Sequence, residues 1–192
     1  MVSTGQIVRR PVKVDFHIHS AASAHKDGQK VKDSTVENID VLFERLEKNE
    51  VNMAAITDHD AFDYGVYDAL RHKVDGARHL RKVLPGVEFT VSFKTNEGSK
   101  SVHVVTLFDD KDQESVRRIS NAIPSKNGRP DYDNGCAFTE DAYWNIIREI
   151  GLDIVAIAHQ KASLGSKRAR TNDANSVGED LYNEFLFVEY FE

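Results

Sequence analysis

Short apolar runs alternate along the chain with segments in which apolar residues recur every three or four positions. The apolar runs lie near 14–18, 51–56, 102–108 and 153–158. This alternation is typical of βαβ units, in which parallel strands are joined by helices. We therefore predict an α/β protein built on a largely parallel sheet.

Four intervening segments carry the spacing of amphipathic helices. The first begins with a capping-box pattern at Ser34 and Glu37 and is expected to run to about Lys48. The second and third are predicted over 66–81 and 112–123, and the last over 139–150 between Thr139 as N-cap and the stop residue Gly151. The apolar positions predicted to be buried are Val36, Ile39, Leu42, Phe43, Leu46, Val116, Ile119, Ile123, Tyr143, Ile146, Ile147 and Ile150.

Two stretches interrupt the alternation. Residues 95–99 are too few for a helix, so the runs at 87–93 and 102–108 are predicted to form an antiparallel hairpin. A turn centred there would bring Glu88 and His103 roughly opposite each other. The other stretch, 125–137, is rich in Gly, Asn, Asp and Pro and is predicted to be a surface loop.

Length and composition narrow the class of protein. The chain has 192 residues, 40% of them hydrophobic and 29% charged, which predicts one domain over 1–192. A net charge of −6 argues against a general nucleic-acid-binding surface. The sequence has no secretory leader and no apolar run near the length of a membrane span, so we expect a cytoplasmic protein. The single cysteine, Cys136, is expected to be a spectator.

The candidate chemistry lies in histidines that follow the apolar runs. His17 and His19 are two residues apart on a predicted strand, so they point to the same side and could share a metal ion. That pair alone could equally be a polar strand face. Further histidines and one glutamate lie at or near other apolar runs, where α/β sheets place their chemistry. The seven candidate ligands are His17, His19, His25, His59, Glu88, His103 and His159.

The order of these motifs resembles the PHP domain, named for DNA polymerases and histidinol phosphatase. The matching segments are Asp-Phe-His-x-His-Ser at 15–20, Ile-Thr-Asp-His-Asp at 56–60, Pro-Gly-Val-Glu at 85–88, a histidine heading a strand at 103, and Ala-His at 158–159. The resemblance implies a distorted seven-stranded β/α barrel whose mouth holds up to three divalent metals and hydrolyses phosphoesters.

One part of the family pattern is missing. The family carries an Asp-x-His motif after its last strands, and none follows His159 in this chain. The chain ends instead in the apolar run 186–191. We therefore expect an N-terminal fragment of a longer protein, with a barrel lacking its C-terminal part and weak activity until it is extended past Glu192. The alternative is a short member that has lost the motif.

Carried over position by position, the resemblance implies two to three metal ions that share the seven ligands. Imidazole together with carboxylate suits zinc, manganese or iron, and the sequence does not choose among them. The first ion would be held by His17, His19 and Glu88, the second by Glu88, His103 and His159, and the third by His25 and His59.

Other residues are candidates for supporting roles. Asp58 is taken with Glu88 as a catalytic candidate, and Asp15 and Asp58 could orient the neighbouring imidazoles, or simply be polar residues at strand ends. A basic segment beyond the last ligand could clamp a substrate phosphate, although such a run is often merely solvated. Its candidate residues are Lys167, Arg168 and Arg170.

The predicted function is metal-dependent hydrolysis of a phosphomonoester, a nucleotide or a nucleic-acid end, by a water acidified between metal ions. A second hypothesis is a non-catalytic, metal-stabilised module that supports a larger polymerase- or ATPase-type protein. A third, an amidohydrolase-type metallohydrolase, fits less well because no lysine suited to carbamylation lies at a strand end.

Overall fold

A computed structural model describes residues 11–95, 98–123, 138–160 and 185–190, with side chains over 11–92, 101–123 and 138–157. The strands are β1 (Val14–Ile18), β2 (Met53–His59), β3 (Lys82–Thr95), β4 (Gly98–Phe108), β5 (Phe138–Thr139), β6 (Ile154–Gln160) and β7 (Phe185–Tyr190). The α-helices are α1 (Ala24–Asp27), α2 (Ile39–Lys48), α3 (Tyr64–His72), α4 (Gln113–Ala122) and α5 (Glu140–Ile150).

The strands form one mixed sheet in the order β1-β2-β3-β4-β6-β7, and the short β5 pairs with β3. The pairs β1–β2, β2–β3 and β6–β7 are parallel, whereas β4 is antiparallel to both β3 and β6. The predicted α/β class is therefore confirmed, and so is the hairpin. Within the described residues the end strands β1 and β7 do not pair with each other, so the sheet is open there and the barrel stays a prediction.

The helices α4 and α5 agree closely with the sequence pattern. In α5, the side chain of Thr139 accepts a hydrogen bond from the N–H of Ala142, and Gly151 ends the helix with a left-handed φ of 69°. The α4 helix begins in the same way at Asp112. Both helices bury their predicted apolar residues in the main core, at Val116, Ile119, Ile123, Tyr143, Ile146, Ile147 and Ile150.

The predicted start of the first amphipathic helix is wrong. The α2 helix begins at Ile39, and its N-cap Asn38 makes no capping hydrogen bond through its side chain. A 3₁₀ turn over Val36–Asn38 precedes it, which tightens the chain before the α-helix and replaces the capping box expected at Ser34. Val36 is consequently 40% exposed, while Ile39 and Leu46 are buried as predicted.

The second predicted helix is too long. The α3 helix ends at His72, and a 3₁₀ turn over Val74–Gly76 follows it. Beyond the turn, the carboxylate of Glu47 accepts hydrogen bonds from the backbone N–H groups of residues 78–80 at 2.7–3.2 Å. These donors are therefore satisfied by a side chain of another helix, and the segment leads into β3 without helical structure.

The strand β3 begins at Lys82, five residues before the predicted run, and continues through Pro85 and Gly86. A Cβ atom on Gly86 would lie 2.7 Å from Cγ2 of Thr57 on β2 and 3.1 Å from Cδ2 of Leu107 on β4. A glycine is therefore required for the close approach of these three strands. Among the described residues, no helix combines the length and apolar character needed to cross a membrane.

Candidate metal centre

The centre is built around Glu88, a carboxylate with no exposed surface in the middle of β3. Parallel pairing sets Glu88 beside His59, the last residue of β2. His17 lies in β1 and His19 directly after it, so the alternation of the strand turns both imidazoles to one side. The carboxyl ends of β1 and β2 thereby converge on one residue of β3.

Four imidazoles surround this carboxylate. The Nε2 atoms of His17 and His19 lie 3.2 and 3.0 Å from Oε2 of Glu88, and Nδ1 of His59 lies 2.8 Å from the same oxygen. Nδ1 of His103 lies 2.6 Å from Oε1. The structure thus brings five of the seven predicted ligands into direct contact.

His103 reaches the carboxylate across the hairpin by a different register from the predicted one. It pairs with Thr90, and Glu88 pairs with Val105. The offset of two residues keeps Glu88 and His103 on the same face of the sheet as diagonal neighbours. A long imidazole can bridge that separation, so the contact forms although the residues are not opposite each other.

Several of these atoms lack the hydrogen bonds that buried polar atoms normally have. Oε2 of Glu88, Nε2 of His19 and Nδ1 of His59 are buried and make no hydrogen bond of acceptable geometry with the described residues, despite their short separations. Such desolvated atoms are costly unless another partner satisfies them. Nitrogen and carboxylate atoms that crowd together in this way are the donor set expected for a transition metal.

Asp27 is a member of the centre that the sequence pattern missed. Its Oδ2 lies 2.5 Å from Nδ1 of His19 and 3.7 Å from Nε2 of His59. Three groups of side chains have ligand atoms within 4.8 Å of one another and could each hold a metal ion. They are His17 with His19 and Glu88, His19 with Asp27 and His59, and His59 with Glu88 and His103.

Of the other two predicted ligands, His25 is not brought into these groups. Nδ1 of His25 lies 3.1 Å from the carbonyl oxygen of Ala22, and His25 belongs to none of the three groups. His159 pairs through its backbone with His103, but its side chain lies outside the described ones. The predicted phosphate clamp at Lys167, Arg168 and Arg170 also lies outside the described residues.

Asp58 supports the centre indirectly. Its buried carboxylate accepts hydrogen bonds from the N–H and the hydroxyl of Ser20, both at 2.6 Å, and from the hydroxyl of Ser23 at 2.8 Å. Ser23 in turn accepts a hydrogen bond from the N–H of His59 at 2.9 Å. Asp58 therefore fixes the segment after His19 against β2. Asp15 accepts a hydrogen bond from the N–H of His17 at 3.4 Å.

The electrostatics of the centre favour an anionic carboxylate. Burial alone would raise the pKa of Glu88, but the surrounding imidazoles, that of His103 first, lower it far below its usual range. Burial lowers the pKa of His59, and its contact with Glu88 offsets only part of this effect. For His19, burial is outweighed by Glu88 and Asp27, which raise the pKa. An ionised carboxylate and a neutral imidazole are the forms that bind metals.

The comparisons with known proteins find a similar fold in a solved structure. No protein-family model matches the sequence. No curated protein matches it either. The structure is similar to that of a protein from Bifidobacterium adolescentis, provisionally described as a metal-dependent phosphoesterase, with a TM-score of 0.50 and 15% sequence identity over 94% of this chain and 77% of that chain. At this identity, the likeness is one of fold.

Proposed function

We propose that this chain is a metal-dependent phosphoesterase of the PHP type. The observation that carries the proposal is the buried carboxylate of Glu88 with four imidazole nitrogens 2.6–3.2 Å from its oxygens. Without a bound metal, the buried polar atoms of this cluster would be unsatisfied, which costs free energy. This cost supports the presence of a metal ion at the cluster. The fold shared with the Bifidobacterium protein supports the same class of activity.

The proposed centre holds two to three zinc, manganese or iron ions. The ligand groups already described would form it, with Asp27 in the position that the sequence pattern gave to His25. When bound, such ions lower the pKa of water and neutralise charge on phosphoryl oxygens. Glu88, His19 and His59 each belong to two of the groups. Of these three, we assign Glu88 as the bridging ligand, because a carboxylate has two oxygens that can bind separate ions. His159 remains a proposed ligand of the second ion.

The proposed substrate is a phosphomonoester, a nucleotide or a nucleic-acid end. In this proposal Asp58 keeps the segment carrying His19 in register with β2. Lys167, Arg168 and Arg170, in the sequence after β6, are proposed to bind the phosphate. The seven-stranded barrel would be completed by a C-terminal remainder of a longer protein. Its Asp-x-His motif would add ligands to the first and third ions.

The test begins with metal content. The purified chain is stripped with a chelator, reconstituted separately with Mn²⁺, Zn²⁺ or Fe²⁺, and analysed for bound metal and for hydrolysis of a chromogenic phosphodiester and phosphomonoester. We expect more than one equivalent of metal and metal-dependent hydrolysis. Glu88→Gln should lose both, because a bridging ligand serves two ions, while Glu44→Gln at an exposed position of α2 should retain both.

Two results would decide against the proposal. The absence of bound metal after reconstitution would remove the metal centre itself. Bound metal without hydrolysis, in this chain and in a longer one that includes the terminal motif, would favour the non-catalytic module that supports a larger protein.

A further inference from the structure

Lys26 lies at the edge of the metal centre, on the short helix α1 between His25 and Asp27. Its Nζ lies 2.5 Å from Oγ1 of Thr90 on β3 and 3.1 Å from Oδ2 of Asp60, the residue directly after β2. These contacts hold a cation beside the candidate ligands rather than in bulk solvent.

The two partners of Lys26 are themselves fixed. Asp60 is buried, and its carboxylate also accepts hydrogen bonds from the N–H and the hydroxyl of Thr90 at 2.6 and 3.0 Å. The backbone of Asp60 adopts a left-handed φ of 49°, and its N–H donates to the carbonyl oxygen of Glu88 at 2.9 Å. A non-glycine residue rarely adopts that conformation without compensating contacts. The ammonium of Lys26 therefore rests on a rigid support.

The position of Thr90 relates this ammonium to the centre. Thr90 follows Glu88 by two residues on β3, so their side chains leave the same face of the sheet. Successive residues on one face of a strand are roughly 7 Å apart. Because Lys26 contacts Thr90, its ammonium lies close to the face of the sheet that carries Glu88.

The ammonium also has capacity for another ligand. It carries three N–H donors, and its contacts with described residues are those to Asp60 and Thr90. The side chain is 23% exposed, so the remaining donor can be reached from solvent. An ammonium that is held by two contacts and remains accessible to solvent is suited to binding an anion at the metal centre.

We infer that Lys26 is a substrate-binding residue whose ammonium donates a hydrogen bond to a phosphoryl oxygen of the substrate held at the metal centre. This inference rests on the proposed function. A lysine ammonium binds a phosphate oxygen as a compact point charge. Asp60 and Thr90 fix the direction of the ammonium, and no proton transfer is required of it.

The experiment uses the reconstituted holoprotein and inorganic phosphate as the probe. Phosphate binding is measured by titration calorimetry, and KM and kcat are measured with a chromogenic phosphomonoester. Lys26→Gln removes the charge but can still hydrogen-bond Asp60, Lys26→Arg keeps the charge, and Lys30→Met at an exposed site nearby is the matched control. Metal content is measured for every variant.

We expect Lys26→Gln to weaken phosphate binding and raise KM by roughly ten- to a hundredfold, as for loss of a charge-assisted hydrogen bond, with metal content unchanged. Lys26→Arg should lie between the wild type and Lys26→Gln, and Lys30→Met should equal the wild type. If Lys26→Gln binds phosphate like the wild type, the inference is wrong while the phosphoesterase proposal stands.

Two further outcomes also overturn it. Loss of metal together with phosphate binding in Lys26→Gln would mean that Lys26 merely holds α1, and Asp27 with it, against the sheet. A wild-type holoprotein that contains metal but neither binds phosphate nor hydrolyses the ester would refute the proposed function and this inference together.

Discussion

Asp27 and His25 are two positions apart on the four-residue helix α1, yet Asp27 is the one whose side chain joins a ligand group with His19 and His59. A carboxylate oxygen there can face the ion that the sequence pattern assigned to His25. Assigning Asp27 or His25 as the ligand therefore leads to different predictions about which substitution removes a metal ion.

We expect Asp27→Asn to weaken binding of one metal ion at least tenfold, because the amide oxygen carries no charge to balance the ion. His25→Gln should change metal affinity less. Elemental analysis after dialysis against graded chelator measures both, with Asp33→Asn at an exposed position as the control. A greater loss of metal in His25→Gln than in Asp27→Asn would show that His25, and not Asp27, is the ligand of this ion.

Gly86 gives a prediction about stability at the same scale. Since a Cβ atom there would lie 2.7 Å from Cγ2 of Thr57, Gly86→Ala must push β2 away from β3. We expect a loss of about 1–3 kcal/mol in the free energy of unfolding, typical of an overpacked core. Gly76→Ala is the control, because a Cβ atom on Gly76 has no neighbour within 4 Å. Equal unfolding midpoints in urea for the two variants would contradict the close approach.

Whether the sequence predicts a residue of the centre depends on the secondary structure that carries the residue. His17, His19 and His59 lie in or next to strands, where alternation fixes the direction of a side chain, and their convergence could be foreseen. Asp27 lies among short helical turns that carry no periodic signal. The Asp-Gly pair at 27–28, with Gly28 at a φ of 60°, was the available sign of a tight turn there.

At the scale of elements, α4 and α5 follow their sequence patterns, whereas the capping-box pattern at Ser34 does not mark the start of α2. The α5 helix has both Thr139 and Gly151, and its bounds were predicted correctly. The α3 helix lacks a comparable stop signal. Its expected second half is displaced by hydrogen bonds to Glu47, a residue some thirty positions earlier in the chain, and such a distant competitor cannot be read from local spacing.

Glu47 therefore gives a prediction for the segment between α3 and β3. Glu47→Gln weakens the acceptor for the N–H groups of residues 78–80, and we expect a loss of about 1 kcal/mol in the free energy of unfolding. Although burial opposes it, these N–H donors, that of Leu80 first, lower the pKa of Glu47 in the folded protein. The stabilisation should thus be present at neutral pH and disappear as the pH falls below about 4.5, the ordinary value.

The measurement is the difference in unfolding free energy between wild type and Glu47→Gln from pH 7 to pH 3, with Glu44→Gln on the same helix as the control. Acid effects on the metal centre are common to all three proteins and cancel in the difference. A difference that stays constant across this range would show that the ionised carboxylate is not what stabilises the segment.

At the scale of the whole molecule, the candidate ligands come from β1 to β4 and from α1, so a bound metal ties together distant parts of the chain. Binding to the folded state alone stabilises it by about 2.7 kcal/mol when free metal is a hundred times its dissociation constant. For a chain of this length, that corresponds to a rise in Tm of about 5–10 °C.

We expect calorimetry to show this difference in Tm between the Mn²⁺- or Zn²⁺-loaded protein and the same protein in chelator. For Glu88→Gln, we expect the Tm to be lowered by most of this difference even when no chelator is present. Identical melting curves with and without metal in the wild type would mean that the cluster does not bind these ions.

The strand β3 has a kinetic consequence. Glu88 meets its imidazoles only when β3 is paired with β2 on one side and with β4 on the other in the register described. The β3–β4 hairpin is local, but His17 and His19 lie about seventy positions before Glu88 in the sequence, and contacts across so long a separation form slowly. When the unfolded chain is diluted from denaturant into buffer with metal, the uptake of metal should follow the formation of the sheet at a rate that does not depend on metal concentration. The ion would then stabilise a finished site and would not guide the chain towards it.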